Sequence, residues 1–301
     1  MTGVVRTLPA VASALAEGRA VVALESSVFA QGLPIPANRT AALSMVRAVE
    51  SRGAVAAITA VVRGIPAAGL TADELERFLA RDGIGKVSAR DLALAVGRGA
   101  DGATTVAAAI ALARLAGIEV LATGGIGGVH RAPPYDESAD LAELARTPII
   151  VVCSGAKAIL DLRATAERLD TMGVSVIGFR TGELPAFYGA ESGIAVPRAD
   201  DVSEIVAVYR AQRALGRSSA LLVVQPPPAQ FALPASVVER AVVEGVREST
   251  RAGIQGSAVT PFLLAHVDKA TSGRAREVNL ALLEQNAALA ASIAVALART
   301  K

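Results

Sequence analysis

The sequence has no tryptophan, one cysteine and two histidines, and aromatic side chains make up only 3% of its 301 residues. These scarcities exclude several classes of protein. A lone Cys153 can form neither an internal disulfide nor a zinc site built on clustered thiolates. It lies in the apolar run Ile149-Ile150-Val151-Val152-Cys153, where a buried small hydrophobe is expected. No uncharged apolar run reaches the roughly 18 residues that a bilayer-crossing helix needs. The N-terminus also lacks a charged stretch followed by an apolar one. A cytoplasmic chain that does not enter a membrane is therefore expected. The net charge is only +2, from 30 basic and 28 acidic residues, and no stripe of Lys and Arg offers a nucleic acid its footprint.

Lysine is the most informative scarcity. Lys86, Lys157, Lys269 and Lys301 are the only lysines among the 30 basic residues, and all the others are Arg. Asparagine is as rare, occurring at Asn38, Asn279 and Asn286. A chain that uses Arg so freely tends to keep Lys where a guanidinium cannot serve, for example where an amine must form an imine.

What is abundant is small and apolar: 52% of the residues are hydrophobic, mostly Ala, Val and Leu. Short β-branched runs alternate with helical patterns. The expected strands are 20–24, 56–62, 118–122, 149–153, 174–179 and 220–224. The expected helices are 37–52, 71–81, 104–116, 156–172 and 202–215, then 235–252, 261–270 and 278–299 in a mostly helical C-terminal third. Near-continuous apolar strands between helices predict a three-layer α/β/α fold with a central parallel or mixed sheet, in one domain over 1–301. A closed α/β barrel is the structural rival, but too few strand–helix pairs are present for eight.

Ligands of open α/β sheets bind beyond the carboxyl ends of the strands. Three expected strands run there into polar or glycine-rich segments: Glu25-Ser26-Ser27, then Thr123-Gly124-Gly125 through His130-Arg131, then Ser154-Gly155-Ala156-Lys157. The glycine loop reads either as an anion cradle or as a tight turn needing positive φ. It lacks the dinucleotide fingerprint, because His130 stands where the third glycine belongs. Lys157 is placed in the first turn of the expected helix 156–172, where the helix dipole and burial both disfavour an ammonium. Glu25 is a candidate general acid. Asp136 and Asp140 offer carboxylates for Mg²⁺ or Mn²⁺, or helix caps. Lys86 can pair with a phosphate or with an acid, and Asn279 and Asn286, seven apart, share one face of the last helix.

These segments together resemble the pseudouridine-5'-phosphate glycosidase (indigoidine synthase A-like) family. The resemblance is carried by Ala23 through Ser27, Gln31 through Asn38, Gly85 through Leu92 and Thr123 through Arg131. It continues through Ser138 to Leu141, Gly155-Ala156-Lys157, Pro185 through Tyr188, Val259 through Leu264, and Asn279 to Asn286. It implies reversible cleavage of a C-glycosidic bond, giving uracil and ribose 5-phosphate from pseudouridine 5'-phosphate. By this resemblance Lys157 forms an imine with ribose C1', Glu25 donates a proton and Asp136 ligates Mn²⁺. Lys86, Val106, Ser138, Ala139, Asp140 and Asn279 match substrate-contacting positions, with Thr123 and His130 at the two ends of the glycine loop as further candidates. The resemblance also implies a homotrimer. The chain departs from the family pattern with Gln31 for a usual His, Ser27 for Thr, Ser154 for Ala and Ser257 for Lys. Residues Ala132-Pro133-Pro134 and 225–230 differ too. Another Schiff-base lyase or aldolase on a sugar phosphate, and a non-catalytic phosphosugar-binding protein, are the alternative readings.

Overall fold

The computed structural model describes residues 4–131, 135–254 and 256–299, and of Ser257 only the backbone. Ala132, Pro133, Pro134, the Ser257 side chain and Lys301 therefore lie outside the described residues. Six strands run parallel through the centre. In spatial order they are Val55–Val62, Val21–Leu24, Val120–Ala122, Ile150–Cys153, Leu221–Val224 and Ser175–Phe179. Each ends at the residue expected from sequence, and only the starting points shift. Val21–Leu24, Ile150–Cys153 and Leu221–Val224 are buried at every position. Such strands must be covered on both faces, which accounts for their unbroken apolar character.

Helices provide that cover. On one face the last helix, Arg274–Ala298, lies against Val21–Leu24, Val120–Ala122 and Ile150–Cys153, flanked by Ala37–Glu50 and Val202–Ala214. On the other face Val106–Leu115 covers Val21–Leu24, Val55–Val62 and Val120–Ala122, with Ala139–Arg146 beside it. Val106–Leu115 reads VAAAIALARL, apolar on almost every side, as a helix wedged between a sheet and a neighbour should be. Its alanines permit close approach, and the Thr105 hydroxyl caps its start by accepting from the Ala108 amide. Arg274–Ala298 is long and apolar enough, by length and composition alone, to cross a membrane. Here it is a core helix, with Asn279 and Asn286 among its buried residues.

The sheet is open, not a barrel, and it extends past the six strands. Ile65–Ala68 and Gly102–Thr104 pair antiparallel with Val55–Val62. Gly85–Val87 joins Gly102–Thr104, Arg6–Thr7 joins Ile65–Ala68, and Arg198–Ala199 closes the far edge. These pieces are too short to show a period of their own, so pairing, not sequence pattern, defines them.

One expected helix is shorter than its pattern. Of 156–172 only Leu162–Thr171 is helical, capped by Asp161, whose carboxylate accepts from the Ala164 amide at 2.9 Å. Before it, Ala156 bridges to Ile126, and Leu160-Asp161 pairs antiparallel with Val129-His130. Ala156, Leu160 and Asp161 are committed to these pairings, and Asp161 then caps the helix that follows, so no helix starts before Leu162. Lys157 is therefore not in the first turn of a helix, and the dipole argument drawn from that position does not apply.

Candidate active site

From Val21–Leu24 the chain crosses to Val55–Val62 on one side of the sheet and later returns to Val120–Ala122 on the other. This reversal is a topological switch point, where the carboxyl ends of neighbouring strands leave a crevice. The crevice holds a cavity of about 910 Å³, including its open mouth, and Glu25, Lys86, His130, Lys157 and Asn279 all face it. Val106, Ser138 and Asp140 form part of the same wall.

Glu25 directly follows the first of these strands and is only 4% exposed. Its carboxylate accepts hydrogen bonds from the Ser27 hydroxyl at 2.8 Å and from the Thr123 hydroxyl. A buried hydroxyl cluster fixes the adjoining backbone: Ser26 Oγ and Thr104 Oγ1 both donate to the Thr59 carbonyl, at 2.7 and 2.9 Å. Thr123 is fully buried and is not part of the cavity lining; its hydroxyl contacts Glu25. Ala139 likewise lies behind the wall, at the start of Ala139–Arg146.

The glycine loop corrects one reading of its sequence, the turn that needs positive φ. None of Gly124, Gly125, Gly127 and Gly128 has a positive φ, so conformational freedom is not their purpose. The neighbours are simply too close for a side chain. A Cβ on Gly125 would come within 2.6 Å of the Phe187 ring, and one on Gly127 within 2.2 Å of Ser138 Oγ. Several loop amides are already used within the protein. Gly127 donates to Asp140 Oδ2 at 2.7 Å, Ile126 to the Gly155 carbonyl, and Val129 to Thr165 Oγ1. The other Asp140 oxygen accepts from the Ala107 amide at 2.9 Å. Asp140 thus staples the loop to the start of Val106–Leu115 and is not paired with Asp136 as a metal ligand.

Lys157 is held by its backbone, its amide donating to the Ile126 carbonyl at 3.0 Å, next to Gly155 in the left-handed conformation. Lys86 projects from the strand Gly85–Val87 and is open to solvent through the mouth, though walled on its flanks. Its pKa lies below the usual lysine value. Burial is the main cause and the Lys157 charge adds to it, while Glu25 and Asp140 act in the opposite sense. His130 is also pushed down, first by burial. Asp136 opposes that shift, and the Lys157 and Lys86 charges reinforce it. Two lysines and a histidine that feel one another across one cavity make a site for an anionic ligand.

Asp136 stands beside this wall, its Oδ2 4.0 Å from His130 Nδ1. Among the described residues no three His, Cys, Asp or Glu side chains gather to enclose a metal. A single half-buried carboxylate fits a hard cation that keeps most of its waters, and does not fit a protein-caged ion.

Asn286 supports the site from behind. It is fully buried, and its Nδ2 donates to the Thr123 carbonyl at 2.9 Å and to Ser154 Oγ at 3.2 Å. Its Oδ1 accepts from Gln225 Nε2 at 2.9 Å, and Gln225 in turn accepts from Gln285. Two of the family departures, Ser154 and Gln225, thus belong to one amide network. A third, Gln31, faces the cavity with its Nε2 on the Ile84 carbonyl. His266 lies outside the site, its Nδ1 3.1 Å from a Glu248 oxygen. Thr260, Pro261, Leu264 and Phe187 complete an apolar side of the cavity that residue chemistry alone did not single out. Three of them sit on the helix Val259–Ala270, whose approach to the strand ends depends on tertiary packing.

An open α/β sheet with lysines, a buried glutamate and a histidine around one switch-point cavity defines a binding site for a small anionic molecule. The chain belongs to the indigoidine synthase A-like protein family, whose model matches residues 10–296. It is 58% identical over 293 residues to a pseudouridine-5'-phosphate glycosidase of Gemmatimonas aurantiaca, covering 97% of this chain and 96% of that one. It is 49% identical to the protein of the same name from Herpetosiphon aurantiacus, covering 96% of each. Among solved structures it resembles an indigoidine synthase A-like protein of Thermotoga maritima, with a TM-score of 0.89, 38% identity and 94% of each chain covered. It also resembles the prealnumycin C-glycosynthase AlnA in complex with ribulose 5-phosphate. That match has a TM-score of 0.91 and 38% identity, and covers 98% of this chain and 97% of the other.

Proposed function

We propose that this chain reversibly cleaves the C-glycosidic bond of pseudouridine 5'-phosphate, giving uracil and ribose 5-phosphate, through an imine between Lys157 and ribose C1'. The observation that carries this reading is the convergence of Lys157, Glu25 and Lys86 on one cavity, in a chain whose relatives bear that enzyme's name. The ribulose 5-phosphate bound by the structural neighbour supports a pentose phosphate as the ligand class.

A carbon–carbon bond has no leaving oxygen to protonate, so the paired-carboxylate route of ordinary glycosidases does not apply. In this scheme the Lys157 amine attacks C1', the C1'–O4' bond breaks, and O4' takes a proton. The nitrogen lone pair then forms C1'=N as the C1'–C5 bond breaks, and C5 of uracil is protonated. Water hydrolyses the iminium, restoring the amine and releasing the aldehyde form of ribose 5-phosphate. Glu25, held by Thr123 and Ser27, is the proton carrier. Lys86 and His130, with Ser138 and Val106 beside them, receive the phosphorylated sugar, and Asn279 faces the base. Asp136 would hold a largely hydrated Mn²⁺, which would supply positive charge beside His130. A homotrimer in the cytoplasm completes the reading, and size-exclusion chromatography with light scattering tests the trimer.

The test is uracil release from pseudouridine 5'-phosphate with and without Mn²⁺, joined to borohydride trapping. Lys157→Arg keeps the cation and should abolish both cleavage and trapping. Near-parental uracil release by that variant would sink the lysine mechanism. Trapping by other sugar phosphates without uracil release would favour a different Schiff-base lyase.

A further inference from the structure

Arg131 follows His130 at the end of the glycine loop and is not part of the cavity lining. Its guanidinium is engaged by acceptors from two other parts of the chain. Nε donates to the Leu160 carbonyl at 3.3 Å, and Nη2 to the Ala158 carbonyl at 3.4 Å. Nη1 and Nη2 also donate to the two Glu239 oxygens, at 2.6 and 2.9 Å. Four of the five guanidinium N–H groups are used in this way.

The two carbonyls matter because of where they stand. Lys157 opens a turn that its own carbonyl closes, accepting from the Leu160 amide at 3.0 Å. The start of that turn is fixed by the Lys157 amide on the Ile126 carbonyl. Its end is fixed by the pairing of Leu160-Asp161 with Val129-His130. The Ala158 carbonyl inside the turn and the Leu160 carbonyl at its close both meet the Arg131 side chain. Glu239, on the helix Ala235–Arg251, grips the other edge of the guanidinium as a bidentate pair, so the fork is held in one orientation over the turn. The Arg131 and Glu239 side chains are 26% and 56% exposed, and an ion pair so open to solvent adds little to global stability. Its effect is on position.

We propose that Arg131 is a positioning residue for Lys157, clamping the turn 157–160 to the glycine loop so that the amine meets ribose C1' in one orientation, with Glu239 holding the clamp. A lysine cannot replace it, because a point charge on a flexible stem does not present a planar fork to two carbonyls and a carboxylate. The inference rests on Lys157 as the reacting amine, as proposed above.

The experiment is borohydride trapping of the full chain with ribose 5-phosphate, following both the rate and the final extent of labelling by intact mass. Uracil release and a melting curve are measured on the same samples. Arg131→Met and Arg131→Lys should each slow trapping and lower kcat about 10- to 100-fold, the scale of a reacting group misplaced by about 1 Å. The final extent of labelling should stay parental, and KM should change less than about threefold, because Lys86 and His130 are untouched. Glu239→Gln should give a smaller loss in the same direction and add nothing in the Arg131→Met background. A merely structural role would lower Tm and the final extent while the folded fraction traps at the parental rate, and that result overturns the proposal. Parental kcat and trapping rate in Arg131→Met, or full activity in Arg131→Lys, overturn it too. Lys157→Arg separates the two ideas. Labelling that persists in that variant refutes the imine itself, whereas labelling lost there with parental behaviour in Arg131→Met refutes only the clamp. Ribose 5-phosphate is the probe, so a parent that releases no uracil leaves the trapping comparison intact.

Discussion

Replacing Asn286 by leucine removes an amide that touches no part of the cavity yet joins three segments around it. The side chain holds the Thr123 carbonyl, the Ser154 hydroxyl and the Gln225 amide. Leucine is close in volume, so the cost comes from partners left behind and not from a cavity. The Thr123 carbonyl and Gln225 Nε2 would be stranded, in residues that are 0% and 4% exposed. At about 1–3 kcal/mol for each of these two unsatisfied buried groups, the destabilisation is about 2–6 kcal/mol. Unfolding entropy of about 2.1 cal/mol/K per residue then gives a fall of roughly 3–10 °C in Tm for a chain of 301 residues. The chain has no tryptophan, so calorimetry or circular dichroism is the suitable probe. Activity should fall further than stability alone predicts, because Thr123 carries the hydrogen bond to Glu25, and kcat should drop about 10- to 100-fold. Asn286→Asp should behave alike, since a carboxylate cannot donate to the Thr123 carbonyl. An Asn286→Leu protein with parental Tm and parental kcat would refute the idea that this amide sets the position of the acid.

Thr123→Val keeps the shape and deletes the hydroxyl on Glu25, so kcat should fall about tenfold with KM for the phosphorylated sugar nearly unchanged; a change confined to KM would contradict the assignment. Gly127→Ala puts a methyl 2.2 Å from Ser138 Oγ and should lower Tm while raising KM, both read on one purified sample. Lys86 has a depressed pKa in the fold, so its cation should be lost, and KM should climb, at a lower pH than an ordinary lysine would give. Lys86→Arg should flatten that rise. The linked stability effect has the opposite sense: the unfolded chain holds this proton more tightly, so the penalty is present below the depressed folded pKa. It is relieved as pH rises from there towards about 10.4, the unfolded value. Mn²⁺ removal by a chelator should weaken phosphate-end binding in the parent and change little in Asp136→Asn, as judged by substrate titration.

The sheet was legible because its central strands are largely buried, four of them at every position, and so carry mostly apolar runs that end in polar turns. The edge pieces such as Gly85–Val87 were not, since two to four residues cannot display a period. For the site, rarity was a good guide: Lys86, Lys157 and Asn279 line the cavity, and Asn286 stands directly behind it. Position was a poorer guide. The pattern from Ala156 through Met172 has enough apolar residues to predict a helix start at Lys157, but pairing of Ala156 with Ile126 and of Leu160-Asp161 with Val129-His130 overrides it. The roles of Thr123 and Asp140 depend on contacts 98 and 13 residues away in the chain, which no local spacing reveals.

The last helix has a consequence for synthesis. Its strand partners lie at residues 21–24, 120–122 and 150–153, and Asn286 reaches the Thr123 carbonyl across 163 positions. During translation the sheet can begin to assemble, but the part of its face under this helix stays uncovered until residues 274–298 leave the ribosome. The Thr123 carbonyl therefore gains its Asn286 partner only after all six central strands have been made. Any event that stops synthesis before residue 274 leaves an exposed apolar sheet, the kind of surface that chaperones bind.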